Sequence, residues 1–160
     1  MTDQKYRVPP SSKQSEMLVL GSMLNSVNSL NCGADNLDDS DFYYKEHKTI
    51  FAVLKSLYMQ DKPADLHLVA EELKRQDKLQ GVGGVSSLVS LSQCAGTSAY
   101  VEEYATIVKK KSTLRKMISA CQIIEKDAVS DPENVDDSLD EAQSLFYQIG
   151  QASGKIMELS

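Results

Sequence analysis

Residues 97–131 read TSAYVEEYATIVKKKSTLRKMISACQIIEKDAVSD, and between Gly96 and Pro132 no glycine or proline interrupts them. Thr97 or Ser98 can cap a helix here, and Glu102 and Glu103 lie near the positive end of its dipole. A helix of about 30 residues runs for about 45 Å, whereas a head of about 100 residues has a radius of gyration near 13 Å. The spacing therefore predicts a helix that overshoots any head the preceding residues can form. Tyr104, Ile107, Leu114, Ile118 and Cys121 make one apolar stripe along it, and Val101, Val108, Met117 and Ile124 lie beside that stripe.

Beyond Asp131-Pro132, Asn134 can cap a second helix. In it Val135, Leu139, Ala142, Phe146 and Ile149 follow a four-three-four-three spacing, the pattern of a coiled-coil seam. One partner helix cannot cover both stripes of the first. Two antiparallel helices would leave apolar surface in water, and soluble monomers rarely tolerate contiguous patches beyond a few hundred Å². Self-association follows, and the residues expected to carry it are Ile107, Leu114, Ile118 and Cys121 on the first helix and Leu139, Phe146 and Ile149 on the second.

Upstream, residues 1–11 are polar up to Pro9-Pro10 and read as a flexible, extended arm of the kind that reaches a neighbour. Ser12 can cap a helix carrying Met17, Leu20 and Leu24 that stops near Asn25. Residues 26–41 offer only Val27, Leu30 and Leu37 as anchors and predict a weak short helix and loops. From Phe42 to Met59 the apolar residues Phe42, Tyr43, Ile50, Phe51, Leu54, Leu57 and Tyr58 repeat at three and four, and the helix ends before Pro63. Asp65 caps another that turns Leu66, Val69, Ala70 and Leu73 inward. Gly81-Val82-Gly83-Gly84 breaks the pattern, and Val85, Leu88 and Leu91 form a further short helix that Gly96 ends. No strand alternation appears. The expected class is all-α: a small multi-helix head over residues 12–96, then a protruding antiparallel hairpin over 97–150, with 151–160 opening a linker.

Composition narrows the function. Of 160 residues 41% are hydrophobic and 25% charged, ordinary for one soluble domain. The net charge of −6 repels a phosphate backbone, so tight binding to duplex DNA by this segment alone is disfavoured. The longest apolar run near the N-terminus, Met17-Leu18-Val19-Leu20, is far too short for a membrane span, and a cytoplasmic protein is expected. Cys32, Cys94 and Cys121 are odd in number and widely spaced, against a disulfide framework or a zinc site, and predict reduced, partly buried thiols. Gly150-Gln151-Ala152-Ser153-Gly154-Lys155-Ile156 approaches a phosphate loop but has one residue too few between its glycines. Ile156 also replaces the magnesium-holding Ser or Thr, and no buried strand precedes the segment. Gly81-x-Gly83-Gly84 reads as a cap and turn, and His47 and His67, on different helices with no acidic or thiol cluster beside them in sequence, read as structural. The basic run Lys109-Lys110-Lys111 with Arg115 and Lys116, and the acidic run from Asp127 to Glu141, fit solvated helix faces or the steering of a charged partner. No catalytic constellation can be assembled.

Taken in order, several motifs resemble one family across nearly the whole chain: Pro9-Pro10, Glu16 and Val19-Leu20-Gly21; Phe42-Tyr43-x-x-x-His47-x-x-Ile50-Phe51; Pro63-x-Asp65; Ala70-Glu71-x-Leu73; Val82-Gly83-Gly84 with Leu88 and Leu91; Tyr104-Ala105-x-Ile107-Val108; and Phe146-x-x-Ile149. The pattern is similar to the N-terminal domain of DnaB-family replicative DNA helicases, departing from it at Gly96, where that family usually has proline, and in the Gly33 stretch. The resemblance implies a helical head and a hairpin that pairs with a neighbour's hairpin. Three such dimers form a collar that docks the C-terminal helicase-binding domain of primase, and a helicase loader is a further partner the family allows. It also implies that ATP, magnesium and unwinding belong to a downstream RecA-like domain. This chain is then expected to be non-enzymatic, to hold no cofactor, and to meet DNA only through the full-length ring. Two other classes stay open: an independent helical adaptor, which needs no downstream ATPase, and a nucleic-acid-binding regulator, which needs a basic recognition helix.

Overall fold

Helix α1, Lys13–Asn25, is the hub of the first unit because little of it beyond its opening turn meets solvent. From Val19 to Leu24 every residue is buried, including Gly21 and Ser22, the condition of a helix packed on all sides. Ser12 caps it as its hydroxyl accepts a hydrogen bond from the Ser15 amide at 3.2 Å. The computed structural model describes residues 7–95 and 100–157. The expected caps at Thr97 or Ser98, the stop at Gly96 and the first six residues of the arm lie outside the described residues.

Around α1 pack α2 (Val27–Asn36), α3 (Lys45–Met59) and α5 (Gly84–Cys94), while α4 (Leu66–Arg75) packs on α3 and α5. Two glycines set these distances. A methyl group at Gly21 would collide with the backbone carbonyl of Leu91 in α5, and one at Gly33 would run into the Met23 side chain. The stretch 26–41, expected to be a weak helix and loops, contains the regular helix α2. Ser26 caps it through the Ser29 amide, Leu30 and Ala34 are buried, and Gly33 admits the Met23 side chain. Gly33 is thus a packing requirement here rather than a break.

The core is mainly apolar and encloses two carboxylates, Glu16 and Asp41. Phe42, Phe51, Ile50, Leu54, Leu73 and Leu88 are all essentially inaccessible, and the Phe42 and Phe51 rings lie 4.8 Å apart. Glu16 is also buried. Its Oε2 accepts a hydrogen bond from the Tyr43 amide at 3.0 Å, and its Oε1 lies 2.8 Å from His47 Nδ1. The carboxylate oxygen accepts in this contact and the ring nitrogen donates. This one side chain fastens α1 to the start of α3, and His47 therefore has the structural place its sequence suggested. Tyr43 precedes α3 and is partly exposed rather than on its apolar face. Asp41, fully buried, accepts from Lys109 Nζ at 3.0 Å and from the Asp38 amide at 2.9 Å, which fixes α6 to the 3₁₀ turn Asp39–Asp41.

Helix α6 spans Val101–Val129 and α7 spans Val135–Met157, and the five residues 130–134 between them are a connection of the length that joins antiparallel neighbours in a helical hairpin. The chain divides into two compact units inside α6, residues 11–109 in one and residues 1–10 with 110–160 in the other. Sequence spacing places that boundary earlier, at the start of the helix. In the second unit the Pro10 carbonyl accepts from Arg115 Nη1 at 2.8 Å, so the arm is tied at its end. Helix α7 runs through Gly150 and Gly154, so the segment expected to open a linker is helical to Met157. Helical glycine costs only about 1 kcal/mol, and no proline follows to stop the helix. Among the described residues there are seven α-helices and no strand, and the fold is all-α.

Phe51→Ala removes a fully buried ring against Phe42 and is expected to cost about 3 to 5 kcal/mol in chemical denaturation. An unchanged midpoint would show that this cluster is not the centre of the core.

Candidate assembly surface

Three sides of α6 have different environments. Val101, Ala105, Val108, Ser112 and Ala120 are buried, and all but Ala120 follow a four-three-four spacing. These residues are small, which suits close helix approach. Ile107, Leu114, Ile118 and Cys121, the stripe expected to mediate self-association, lie on the exposed side, with Leu114 43% and Ile118 45% accessible. Met117, beside that stripe, is exposed as well, whereas Ile124 is half-buried.

Helix α7 is less simple than its sequence spacing. Ser138, Ala142, Leu145 and Ile149, at helical spacing, form its partly buried side. Leu139 and Phe146 are 56% and 42% accessible, and Val135 is exposed with them. The expected seam therefore straddles two faces: Ala142 and Ile149 are half-buried, and Val135, Leu139 and Phe146 are left in solvent. Leu145 does what Phe146 was expected to do, because a seam read at alternating spacing cannot distinguish two adjacent lines that share Ala142 and Ile149. Tyr147, exposed beside Phe146, is not singled out by its sequence, since a tyrosine next to a stronger apolar position carries no spacing signal.

The charges are ordered along the hairpin. Asn134 caps α7 through the Asp137 amide at 3.2 Å, and Asp136, Asp137, Asp140 and Glu141 occupy its first two turns, where the helix dipole favours anions. All four are exposed. At the other end, Lys109 is not a solvated charge, being paired with Asp41, whereas Lys110 is exposed and Lys111 partly so. Burial, with Glu102 nearby, pushes the Cys32 thiol up, while Cys94 and Cys121 are exposed rather than partly buried. An open groove of about 420 Å³ lies in the first unit between Met23, Val27, Leu30 and Pro63. Among the described residues no group of three or more His, Cys, Asp or Glu is placed to hold a metal ion, and no helix is long and apolar enough to cross a membrane.

Residues 8–110 match the family described as DnaB-like helicase N terminal domain. The chain belongs to that family. It is similar to the replicative DNA helicase DnaC of Bacillus subtilis (strain 168), 33% identical over 145 residues, which are 91% of this chain and 32% of the relative. The replicative DNA helicase DnaB of Geobacillus stearothermophilus is 34% identical over the same shares. The chain thus spans about a third of the length of these curated relatives, and their similarity reaches beyond residue 110 into the hairpin. The crystal structure of the N-terminal domain of DnaB helicase from Mycobacterium tuberculosis superposes with a TM-score of 0.83 at 31% identity, covering 88% of this chain and 99% of that one. A solved DnaB-like replicative helicase, described together with its interactions with primase, shares the fold at a TM-score of 0.72 and 22% identity, over 86% of this chain and 31% of its own. Sequence and fold agree on the DnaB-type N-terminal domain.

Thiol labelling gives a direct check on this surface. In dilute protein Cys94 and Cys121 are expected to react rapidly with a maleimide and Cys32 slowly, since its thiolate is disfavoured. Mass spectrometry showing Cys32 labelled first would contradict the packing of α2.

Proposed function

We propose that this DnaB-type N-terminal domain serves as the assembly and docking module of a replicative DNA helicase. Its hairpins pair to form dimers, three dimers make a collar, and the collar presents primase with its docking surface. The observation that carries the reading is the uncovered apolar line of Leu114, Ile118, Leu139 and Phe146 on a two-helix unit that has almost no buried side chains of its own. The length of the relatives supports a downstream ATPase domain, which would carry ATP hydrolysis and unwinding. Primase as a partner is supported by the fold neighbour whose interactions with primase are described. A helicase loader fits the same module, DNA is met through the ring as a whole, and the working place is the cytoplasm.

Burying an exposed Leu, Ile or Phe is worth about 1.5 to 3 kcal/mol, and these half-exposed side chains gain less. Association costs about 4 to 15 kcal/mol, so the isolated chain forms weak, concentration-dependent dimers and the ring needs the rest of the protein.

Ile118→Asp places a charge in the proposed contact and is expected to weaken self-association by about tenfold or more, the equivalent of about 1.4 kcal/mol, and primase binding with it. Sedimentation showing the variant associating like the parent would overturn the assignment of this stripe. On the same reading the chain alone neither binds nor hydrolyses ATP, and saturable micromolar binding of nucleotide in calorimetry would contradict it.

A further inference from the structure

The motif Phe42-Tyr43-x-x-x-His47 has one member that the core does not use. Phe42 and His47 are buried, whereas Tyr43 is 37% accessible although its backbone is pinned from within. The buried Glu16 carboxylate accepts from the Tyr43 amide at 3.0 Å and from the Tyr44 amide at 3.5 Å, which accounts for the backbone but not for the phenol ring outside it. That ring is nearly perpendicular to Tyr44, with centroids 5.1 Å apart, and Tyr44 in turn meets the His47 ring at 5.4 Å. Lys13 Nζ, from the first turn of α1, lies over the Tyr44 ring at 5.3 Å from its centroid, within reach of a cation–π attraction. Glu16 and His47 thus hold an ordered row of rings at the surface of the first unit.

The charge around that row is positive, in a chain whose net charge is −6. At about 100° per helical residue, Lys48 lies one turn from Tyr44 on the same side of α3 and Lys45 lies beside them, while Glu46 falls on the far side. Lys13, Lys45 and Lys48 are all exposed, and none of the three is paired with a carboxylate among the described residues. The dipole of α3 is positive at this end as well. Neighbouring cations are engaged elsewhere. Lys109 pairs with Asp41 at 3.0 Å, and Lys55, about 15 Å further along α3 than Lys45, lies 3.9 Å from Asp38. The positive patch is therefore short and has two tyrosines at its centre.

We infer that this patch docks a short acidic segment of another protein, a few Asp or Glu residues around one aromatic or aliphatic side chain. The apolar side chain packs on the Tyr43 ring, and the carboxylates meet Lys13, Lys45 and Lys48. A nucleic-acid strand is the other polyanion that tyrosines and lysines suit, since bases stack on aromatic rings. Such a strand needs cations that track its backbone over several nucleotides. Here three unpaired lysines give way to paired ones on a chain of negative net charge, so the patch matches a few carboxylates and not a run of phosphates. The site lies in the first unit and does not depend on self-association of the hairpin.

The test is a heteronuclear NMR titration of this chain at low salt with the synthetic peptide acetyl-Asp-Glu-Phe-Asp-Glu-Glu-amide. Saturable shifts are expected at the amides of Lys13 and of residues 43–48, and the affinity should fall as salt rises. K45E/K48E is expected to bind at least about tenfold more weakly with an unchanged melting temperature, since both side chains are exposed. Y43A, or a peptide with alanine in place of its phenylalanine, should bind about threefold more weakly, and K110E/K111E should bind like the parent. Shifts confined to residues 109–116, no saturation at millimolar peptide, or K45E/K48E binding like the parent would overturn the site. A thymidylate hexanucleotide titrated in the same way should bind more weakly than the peptide. Tighter binding of that oligonucleotide at residues 43–48 would make the patch a nucleic-acid surface and overturn the proposal.

Discussion

Two helices joined by a five-residue turn can shield each other along one line only, and this limit governs the second half of the protein. Between Lys110 and Gly154 just two residues, Ser112 and Ala120, are buried, while Leu114, Ile118, Leu139 and Phe146 remain in contact with solvent. Such a unit derives little stability from its own interior and keeps its helical form through capping, the absence of proline inside either helix and whatever covers it. Its small residues lie on the buried side of α6 and its large ones on the open side, the reverse of what a self-sufficient hairpin requires. The uncovered surface is therefore the most informative feature of the chain.

The first unit solves a different problem. Its helices are short, and α1 is so completely enclosed that its position must be specified by more than apolar contact. Two buried carboxylates supply the specification. Glu16 accepts from the backbone ahead of α3 and from His47, and Asp41 accepts from Lys109 on α6. Leaving either set of donors without its acceptor would cost about 1 to 3 kcal/mol per stranded group, so these carboxylates penalise alternative packings that apolar contact alone would tolerate. Gly21 adds a steric condition of the same kind, admitting α5 to within reach of the α1 backbone. Residues that stand out as family motifs, Glu16, Gly21, Phe42 and His47, are thereby accounted for as architecture rather than chemistry.

Much of this was legible in the residues alone. Ser12, Asp65 and Asn134 cap the helices they were expected to cap, because the capping bond is local and its sequence signature is short. The all-α class followed from periodicity, and the candidate surface from the count of apolar lines against available partners. What escaped was non-local or ambiguous by nature. The helix ends at Asp61, Asp77 and Asp131 use an aspartate in the left-handed region where glycine is the usual signal. Lys109 looked like one of five similar cations, and only the tertiary position of Asp41 distinguishes it. The seam of α7 covers parts of two faces where spacing pointed to one, since Leu145 and Phe146 are neighbours and either satisfies the pattern. Residue propensities understate helix α2 because glycine lowers propensity everywhere, whereas at residue 33 it is what allows Met23 to fit.

On the proposed function the open faces of α6 and α7 are covered by another copy of the chain. Hydrogen exchange followed by mass spectrometry, on the same protein at concentrations below and above its association midpoint, tests this directly. Slower amide exchange is expected from about Lys111 to Ile149 at the higher concentration, while α1 to α5 exchange at the same rates in both. Exchange that slows in the first unit instead, or nowhere despite measured association, would contradict it.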